Sequence, residues 1–308
     1  MERLDGGSAV PRDLAGGIVA LGNFDGFHLG HQAVVGRAVA RARAEGRPAL
    51  VATFDPHPVR HFRPDTPPFR LTTLDQRARL FAAAGVDAMV VFHFDGDLAA
   101  LSAEAFIAER LHANLQVAGV VTGEDFTFGR AKGGDTAMLA ARGAAHGFTA
   151  ETVAAVTLEG EPVSSSRIRT LLRDGDPRGA ARLLTRPFAV EGVVQHGDKL
   201  GRTIGYPTAN IDMGKYLRPA YGIYAVTARL ADGRQLTGAA NLGIRPTFTP
   251  AKELLEPYFF DFAGDLYGQA IEVALVDYLR PEAKFDSLEA LTAQMEADCA
   301  RARVLLSA

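Results

Sequence analysis

The first half of the chain alternates short apolar runs with longer stretches that have the spacing of amphipathic helices. The apolar runs are Ile18–Leu21, Ala49–Phe54, Ala88–Phe94 and Val117–Thr122. The helical stretches are Ala33–Ala44, Leu74–Ala84, Ala103–Leu111 and Thr136–Ala145. This alternation is typical of a parallel sheet covered by helices. It predicts a Rossmann-like α/β domain that binds its ligands beyond the carboxyl ends of the strands.

The second half changes to alternating apolar and polar positions. The period-two runs are Phe188–Val194, Gly222–Leu230, Tyr258–Phe262 and Ile271–Tyr278. Glycine, aspartate and proline separate them, which indicates an antiparallel sheet or a small β-barrel. A last amphipathic helix is predicted over Ser287–Leu306, with an apolar face formed by Leu288, Leu291, Met295, Ala302 and Leu305. We expect two domains, residues 1–182 and 183–308.

Composition narrows the function classes. The 308 residues carry a formal net charge of −3, so no basic footprint favours nucleic acid. Cys299 is the only cysteine, which excludes an internal disulfide and fits a reducing compartment. We find neither a signal-peptide pattern nor an uncharged apolar window of roughly 18 residues. The sequence therefore predicts a cytoplasmic protein with small-molecule partners and no membrane or nucleic-acid partner. Self-association is left open.

The segment Gly22–His31, GNFDGFHLGH, lies between the first predicted strand and the first predicted helix. Its glycines let the backbone approach a ligand closely, and the start of a helix favours anions. His28 and His31 are three residues apart, so both imidazoles can reach one anionic group. The spacing has three interpretations: two turn histidines, a zinc site or a phosphate site. The glutamate of an H-E-x-x-H zinc motif is absent, and the context favours phosphate.

A second candidate anion site precedes the short predicted helix Arg167–Arg173. Ser164, Ser165 and Ser166 come directly before Arg167. A serine here can cap the helix. Serines and arginines at a helix start also bind anions well. Two anion sites in one α/β domain suit a triphosphate that is cleaved between its α and β phosphorus atoms.

The second half carries a glycine-rich loop with Gly197, Lys199, Gly201 and Gly205, followed by the tetrapeptide Pro207–Asn210. Such a loop is either a long hairpin or a phosphate cradle, and no P-loop motif is present. Thr208 and Asn210 share one face of an extended segment and offer neutral oxygens, which Mg²⁺ accepts. Kinase chemistry also needs a general base near the substrate hydroxyl. Glu256 is the candidate, and Asp261 is a weaker rival.

The motifs GNFDGFHLGH, TFDPHP, GEDFTFG and SSSRIR, in this order, resemble the nucleotidyltransferase module of bacterial bifunctional FAD synthetase. The resemblance implies that the phosphate of FMN attacks the α-phosphorus of ATP directly. His28 and His31 would stabilise the ATP phosphates, and Ser164–Arg167 would hold the pyrophosphate. The implied ATP-binding residues are Gly22, Asn23, Phe24, Asp25, His28, His31, Ser164, Ser165, Ser166 and Arg167. The implied FMN-binding residues are Asp55, His57, Asp125 and Phe128, although turn geometry alone would explain the setting of His57.

The second half resembles riboflavin kinase, from GDKLGRTIGYPTANI through GIYAV, NLGIRPTF and DFAGDLYG. The resemblance implies that Thr208 and Asn210 bind Mg²⁺ with ATP and that Glu256 deprotonates the ribityl 5′ hydroxyl. The implied ATP-binding residues are Gly197, Lys199, Gly201, Gly205, Pro207, Thr208 and Asn210. Riboflavin kinases commonly have histidine where this chain has Tyr258. We interpret Tyr258 and the neighbouring Pro257 as edge-strand variation.

These observations predict a bifunctional enzyme that phosphorylates riboflavin to FMN and adenylates FMN to FAD, with ATP as co-substrate of both steps. One alternative is a chain in which only one module is active. Another is a flavin-binding regulatory protein that has kept both folds and lost turnover.

Overall fold

The computed structural model describes residues 1–196, 205–245 and 252–307. Backbone contacts divide the chain into two compact units, residues 1–67 with 72–164 and residues 68–71 with 165–308. The two helices between residues 165 and 184 therefore group with the second unit. A boundary between independently folding domains at residue 182 stays a prediction.

The first unit is built on a parallel sheet, as the alternating pattern predicted. The sheet has six strands, four of which correspond to the predicted apolar runs, and the two edge strands were not predicted. The spatial order of its strands is β1-β4-β3-β2-β5-β6. Their bounds are β1 (Glu2–Asp5), β2 (Ile18–Leu21), β3 (Ala49–Asp55), β4 (Ala88–His93), β5 (Gly119–Gly123) and β6 (Thr149–Val153). All four residues of β2 are buried, because helices cover both faces of a parallel sheet. A two-stranded hairpin follows, β7 (Thr157–Leu158) with β8 (Glu161–Pro162).

The connections of the first unit are mostly helical. They are α1 (Leu29–Glu45), α2 (Pro58–Phe62), α3 (Leu74–Ala83), α4 (Gly96–Ala100), α5 (Ala103–Ala105) and α6 (Thr136–Ala145). A π-helix, Phe106–Asn114, continues α5, and a single 3₁₀ turn spans Arg130–Lys132. Alternate strand residues enter two separate cores: Val19 and Leu21 lie in one, and Ile18 and Ala20 lie in the other. This two-sided burial produces the unbroken apolar runs of the sequence.

The second unit begins with α7 (Ser165–Arg173) and α8 (Pro177–Leu184) and continues as an antiparallel sheet. The spatial order of the strands is β10-β13-β12-β11-β14-β9. Their bounds are β9 (Phe188–Val193), β10 (Ile211–Asp212), β11 (Gly222–Leu230), β12 (Gln235–Arg245), β13 (Lys252–Phe259) and β14 (Ala270–Arg280). The Gln195 amide donates to the Asn210 carbonyl at 2.8 Å, which joins the two ends of the sheet. The result is the predicted small barrel, nearly closed.

The last helix, α9 (Leu288–Leu306), packs on the outside of this barrel. The apolar face predicted for it is wrong at Leu288, which is 56% exposed. Ala302 is fully buried, as expected. A polar pair also ties the helix to the barrel: Arg280 on β14 donates to both carboxylate oxygens of buried Asp298, at 2.7–3.0 Å.

The strand around Glu256 starts earlier than its alternating pattern predicted. The strand β13 runs from Lys252, and the facing strand β12 was not predicted at all. Pro257 pairs with Ala240 on β12, while its carbonyl accepts from the Ala209 amide at 2.9 Å on the other side. The interpretation of Pro257 as an edge residue is therefore wrong. A residue's N and C=O point to the same side of a strand, so the missing N–H of Pro257 faces Ala209 and leaves the β12 ladder intact.

Candidate active sites

The two histidines of GNFDGFHLGH lie at the start of α1, at the carboxyl end of β2. The helix begins at Leu29, four residues before the predicted start, so His28 is its N-cap. The His28 Nδ1 accepts from the His31 amide at 3.4 Å. The two rings stack, with centroids 3.6 Å apart. Because a neutral imidazole that accepts at Nδ1 carries its proton on Nε2, we infer that His28 presents Nε2–H as a donor.

The turn before the histidines has an unusual backbone. Phe24 and Phe27 have φ of 51° and 44°, in the left-handed region that side chains rarely adopt. Both rings are buried and meet Phe81 of α3 edge to face, with centroids 5.9 and 5.1 Å apart. Burial of two phenyl rings offsets the cost of this backbone. The Phe24 ring also packs edge-on against His31, with centroids 5.2 Å apart.

Asp25 holds the same turn through hydrogen bonds to Thr72. Its buried carboxylate accepts from the backbone amide and the hydroxyl of Thr72, at 2.9 and 3.2 Å. The Thr72 hydroxyl in turn accepts from the Gly26 amide at 2.9 Å. This network gives Asp25 a structural role at the site, and its contact with ATP stays a prediction.

Asn23, in the same turn, has a hydrogen-bond acceptor that is not satisfied by the described residues. Its side-chain Oδ1 is buried and has no hydrogen-bond partner among the residues that the structure describes. Its backbone carbonyl accepts from Thr53 Oγ1 at 2.8 Å and from Arg77 at 3.0 Å. An orphaned buried acceptor is uncommon and calls for a donor, from a ligand or a water molecule.

The sequence analysis missed Arg77, a buried cation at the same edge of the sheet. Its guanidinium donates to the Asn23 carbonyl and to Thr53 Oγ1, both at 3.0 Å, and lies 3.7 Å from the Asp55 carboxylate. It thereby ties the ends of β2 and β3 together. A signal was present: Arg77 lies on the apolar stripe of α3 with Leu74 and Phe81, where a charged residue is unexpected.

The chain returns to the histidine turn at Val163. A Cβ at Gly30 would lie 3.2 Å from the His28 ring and 3.5 Å from the Val163 carbonyl, so only glycine fits here comfortably. Ser164 follows directly. The helix α7 begins at Ser165, two residues before its predicted start, and Ser165, Ser166 and Arg167 form its first turn.

The two residues predicted from TFDPHP follow β3. Asp55 is its last residue and faces Arg77. His57 is the N-cap of α2, where its Nδ1 accepts from the Val59 amide at 3.2 Å. The turn explanation for His57 therefore has a structural basis, and a role at FMN stays a prediction.

The other two residues predicted at FMN differ in exposure. Asp125 is exposed, just beyond β5. The ring of Phe128 is buried, stacked on Phe126 and packed against Phe106. Phe62, at the end of α2, was not predicted and is 66% exposed beside His61 and Phe94. Its motif, H-P-V-R-H-F, contained an aromatic residue that packing does not explain.

In the second unit, Glu256 lies in the middle of a row of polar residues. Asn241 on β12 is its direct cross-strand partner. On its other side, Ile211 pairs with Leu255, and the Ala209 amide donates to Pro257. Between these two pairs, the register sets Asn210 opposite Glu256. Directly paired residues share a face, so Asn210, Glu256 and Asn241 line up across three neighbouring segments.

The predicted ligands Thr208 and Asn210 are therefore beside the predicted base. Asn210 is buried, Thr208 is half-buried, and Pro207 is exposed. Gly205 has φ +85°, which a glycine adopts without strain. Three residues predicted to bind ATP lie outside the described residues: Gly197, Lys199 and Gly201.

Tyr258 and Asp261 follow Glu256 in the chain, and the structure shows what each contacts. Tyr258 packs edge to face on Tyr206, next to Pro207, with ring centroids 5.0 Å apart. Asp261, the rival base, is exposed and receives two bonds from Arg303, at 2.7 and 3.1 Å. These bonds lower the pKa of Asp261 below its usual value and make it a poorer proton acceptor. Glu256 is the better placed of the two.

Among the described ranges, no cluster of three or more His, Cys, Asp or Glu side chains could hold a metal. A zinc site at His28 and His31 therefore has no further ligand of these types there. Thr208 and Asn210 offer neutral oxygens beside one carboxylate, Glu256. That donor set fits Mg²⁺, which takes few protein ligands and keeps positions for phosphate and water.

Comparison with known proteins matches both halves. The family model of FAD synthetase matches residues 10–167, and that of riboflavin kinase matches residues 184–306. The "Bifunctional riboflavin kinase/FMN adenylyltransferase" of Escherichia coli K12 is 39% identical over 96% of this chain and 94% of its own length. The protein of the same name from Pseudomonas fluorescens is 41% identical over 94% and 93%. The chain belongs to the bifunctional riboflavin kinase/FMN adenylyltransferase family.

A solved structure from Streptococcus pneumoniae, named as a macrolide-efflux protein, has the same fold as this family member. It is 30% identical, covers 97% of both chains and has a TM-score of 0.87. In the described part of the present chain, no helix is long and apolar enough to cross a membrane. The match over nearly the full length confirms that the two predicted folds occur together in one chain of this kind.

Proposed function

We propose a specific assignment of residues to the two reactions of this chain. As a member of its family it is a bifunctional transferase: a riboflavin kinase and an FMN adenylyltransferase. Riboflavin, FMN, FAD and ATP are its substrates and products. The residue roles, the metal and a cytoplasmic location are the parts that we propose.

In the adenylyltransferase half, we assign the ATP phosphates to the N-terminus of α1. The observation that supports this is that His28 caps the helix through Nδ1 and stacks on His31. In the turn that leads to them, the buried Asn23 Oδ1 has no hydrogen-bond partner among the described residues. The phosphate of FMN attacks the α-phosphorus of ATP, and pyrophosphate leaves. The imidazoles and the helix N-terminus stabilise the negative charge that develops during this transfer.

The leaving pyrophosphate is assigned to Ser164, Ser165, Ser166 and Arg167. The position of Val163 against Gly30 supports this, because Ser164 continues the chain from there. Arg167 lies in the first turn of α7, where free backbone amides and a guanidinium both favour phosphate.

The FMN is assigned to the residues beyond β3 and β5: Asp55, His57, Asp125 and Phe128. We add Phe62, whose exposed ring can stack on the flavin. Arg77 acts on this site by positioning Asp55 and the Asn23 carbonyl, since it is buried and donates to their surroundings.

In the kinase half, Thr208 and Asn210 would hold Mg²⁺ together with the ATP phosphates. When bound, this ion neutralises phosphate charge during transfer. Glu256 accepts the proton of the ribityl 5′ hydroxyl as that oxygen attacks the γ-phosphorus. The cross-strand row supports the assignment, because it brings the proposed base next to Asn210.

The experiment is a product assay by chromatography on the purified full chain with ATP and MgCl₂. With riboflavin, FMN should form first and FAD afterwards. With FMN supplied, FAD should form directly. FMN accumulation without FAD would show that only the kinase module is active, and binding of flavin without turnover would favour the regulatory alternative.

A further inference from the structure

The polar row contains one residue to which no role has been given. Asn241 lies opposite Glu256 on β12, and its Oδ1 is buried. No hydrogen-bond partner for this oxygen exists within residues 1–196, 205–245 and 252–307. The residue as a whole is half-buried.

Two of the neighbours of Asn241 on this face are apolar, and charged residues lie beyond them: Arg280 pairs with Ile223, and the Glu282 carboxylate lies against Gly243. Ile223 on β11 is its second cross-strand partner, and Ala239 lies two residues along on the same face. Ile223, Ala239 and Tyr258 belong to the cluster that packs under α9. On this side, Asn241 therefore borders the apolar cluster that the helix covers.

A buried carboxamide oxygen without a partner costs free energy that apolar side chains of similar size would avoid. A ligand that donates a hydrogen bond to this oxygen removes that free-energy cost. The Asn241 oxygen has no described bond to break, and the last torsion of asparagine is soft. The side chain can therefore turn toward a ligand without losing a bond.

We propose that the Asn241 carboxamide binds a hydroxyl of the riboflavin ribityl chain and so places the terminal hydroxyl at Glu256. The inference rests on the role proposed above for Glu256. Direct cross-strand partners have Cβ atoms about 5 Å apart. A polyol that offers its last hydroxyl to Glu256 can then offer another of its hydroxyls to Asn241.

The chemistry of the side chain favours this ligand. A neutral carboxamide both donates and accepts, which matches a hydroxyl, whereas phosphate is better served by cations and backbone amides. A site that hydrogen-bonds a substrate hydroxyl strongly rejects analogues that lack it, because its polar groups are then left unpaired. Asn241 therefore selects flavins that carry the polyol.

The test compares riboflavin with lumiflavin, which has a methyl group in place of the ribityl chain. We measure KM for riboflavin and ATP, and the inhibition constant of lumiflavin against riboflavin in the kinase reaction. The variants are Asn241→Ala, Asn241→Ser and the control Thr237→Ala, an exposed position on the same strand. Asn241→Ala should raise KM for riboflavin at least tenfold. KM for ATP and the inhibition constant of lumiflavin should stay within twofold of their values in the parent chain. Asn241→Ser should restore part of the loss.

An equal rise for riboflavin and lumiflavin would overturn the proposal, because it would indicate general damage to the flavin site. Unchanged constants for both would overturn it as well. Failure of the proposed base is distinguishable: Glu256→Gln with normal turnover would move the base elsewhere. The ratio of riboflavin to lumiflavin affinity in Asn241→Ala would still report on the polyol contact.

Discussion

The two proposed active sites are assembled from different kinds of structure. In the adenylyltransferase half, the polar groups lie where strands of a parallel sheet end and helices begin: His28 caps α1, and Asp55 ends β3. In the kinase half, they lie side by side across strands, with Asn241 opposite Glu256. The first arrangement depends on turns and caps, and the second depends on register.

This difference decides what a local change can do. A turn such as Gly22–His31 is held by hydrogen bonds of its side chains, including those from Thr72 to Asp25, and not by strand register, so we expect a substitution there to act locally. A row across strands is set by the pairing of whole segments. Substitution of one member leaves the others in place, but a shift of β13 by one residue would turn Glu256 to the opposite face.

The largest expected effect is on the kinase row. Glu256→Gln keeps the size and register of the side chain and removes the proton acceptor. We expect FMN formation to fall about 10²- to 10⁴-fold, the usual contribution of a general base. FAD formation from supplied FMN should remain near that of the parent chain. Rates of both steps, measured separately, check this.

Asp261→Asn is the matched control, since Asp261 is the rival carboxylate and is already paired with Arg303. It should leave FMN formation within twofold. The opposite result, with Asp261→Asn inactive and Glu256→Gln active, would exchange the two assignments.

The second prediction tests the helix start. His28→Asn keeps a good N-cap and removes the imidazole, so it separates capping from phosphate binding. We expect FAD formation to fall about 10²- to 10³-fold, as for loss of one transition-state donor, with little change in stability. FMN formation should stay normal. His112→Ala, an exposed histidine of the same unit, serves as control.

Comparable loss of both activities in His28→Asn would contradict independent sites. Loss of thermal stability together with adenylation would instead assign His28 a mainly structural role.

The third prediction concerns the buried cation. Arg77→Met leaves the Asn23 carbonyl, Thr53 and Asp55 without their common donor. The loss should lower the free energy of unfolding of the first unit by about 1–3 kcal/mol. The rate of FAD formation should also fall. Arg77→Lys should have a stability and a rate between those of the parent chain and those of Arg77→Met. Denaturant unfolding followed together with FAD formation measures both effects, and an unaltered unfolding curve would show that Arg77 is dispensable.

The smallest effect is expected at the exposed ring. Phe62→Ala should raise KM for FMN about twofold to tenfold in the adenylation reaction, because aromatic stacking contributes about 0.5–1.5 kcal/mol. Stability should not change, since the ring is exposed. Val59→Ala on the same short helix is the control, and equal effects from both would point to α2 itself rather than to stacking.

The first half could be predicted well from the sequence. Strands buried on both faces give continuous apolar runs, and the motifs stand at element ends, where glycine and histidine are conspicuous. The edge strands β1 and β6 escaped prediction, because their residues are partly exposed and form no apolar run. The contact of Arg77 with the end of β3 is long-range, and the backbone angles of Phe24 and Phe27 follow from no residue pattern.

For the second half, the sequence predicted the antiparallel barrel but not all of its strands or their bounds. The strand β12 was missed because its middle consists of small and polar residues, Gly238 to Asn241, and its β-branched residues are confined to Thr237 and Ile244. The start of β13 was placed too late because Glu256 and Pro257 interrupt the alternation. Asn241 could not be found either, since its importance follows from pairing between strands and not from any local spacing.

Pro257 has one more consequence, which concerns motion. Ala209 gives its amide to the Pro257 carbonyl, but proline has no N–H to return to Ala209. The segment with Thr208 and Asn210 is thus joined to the base strand by a single bond at this rung, while β12 keeps its full ladder on the other side. Thermal opening of this rung would free the segment that we propose to bind ATP, while Glu256 stays paired with Asn241. Faster hydrogen exchange at the Ala209 amide than in β12 is the direct measure of this unequal attachment.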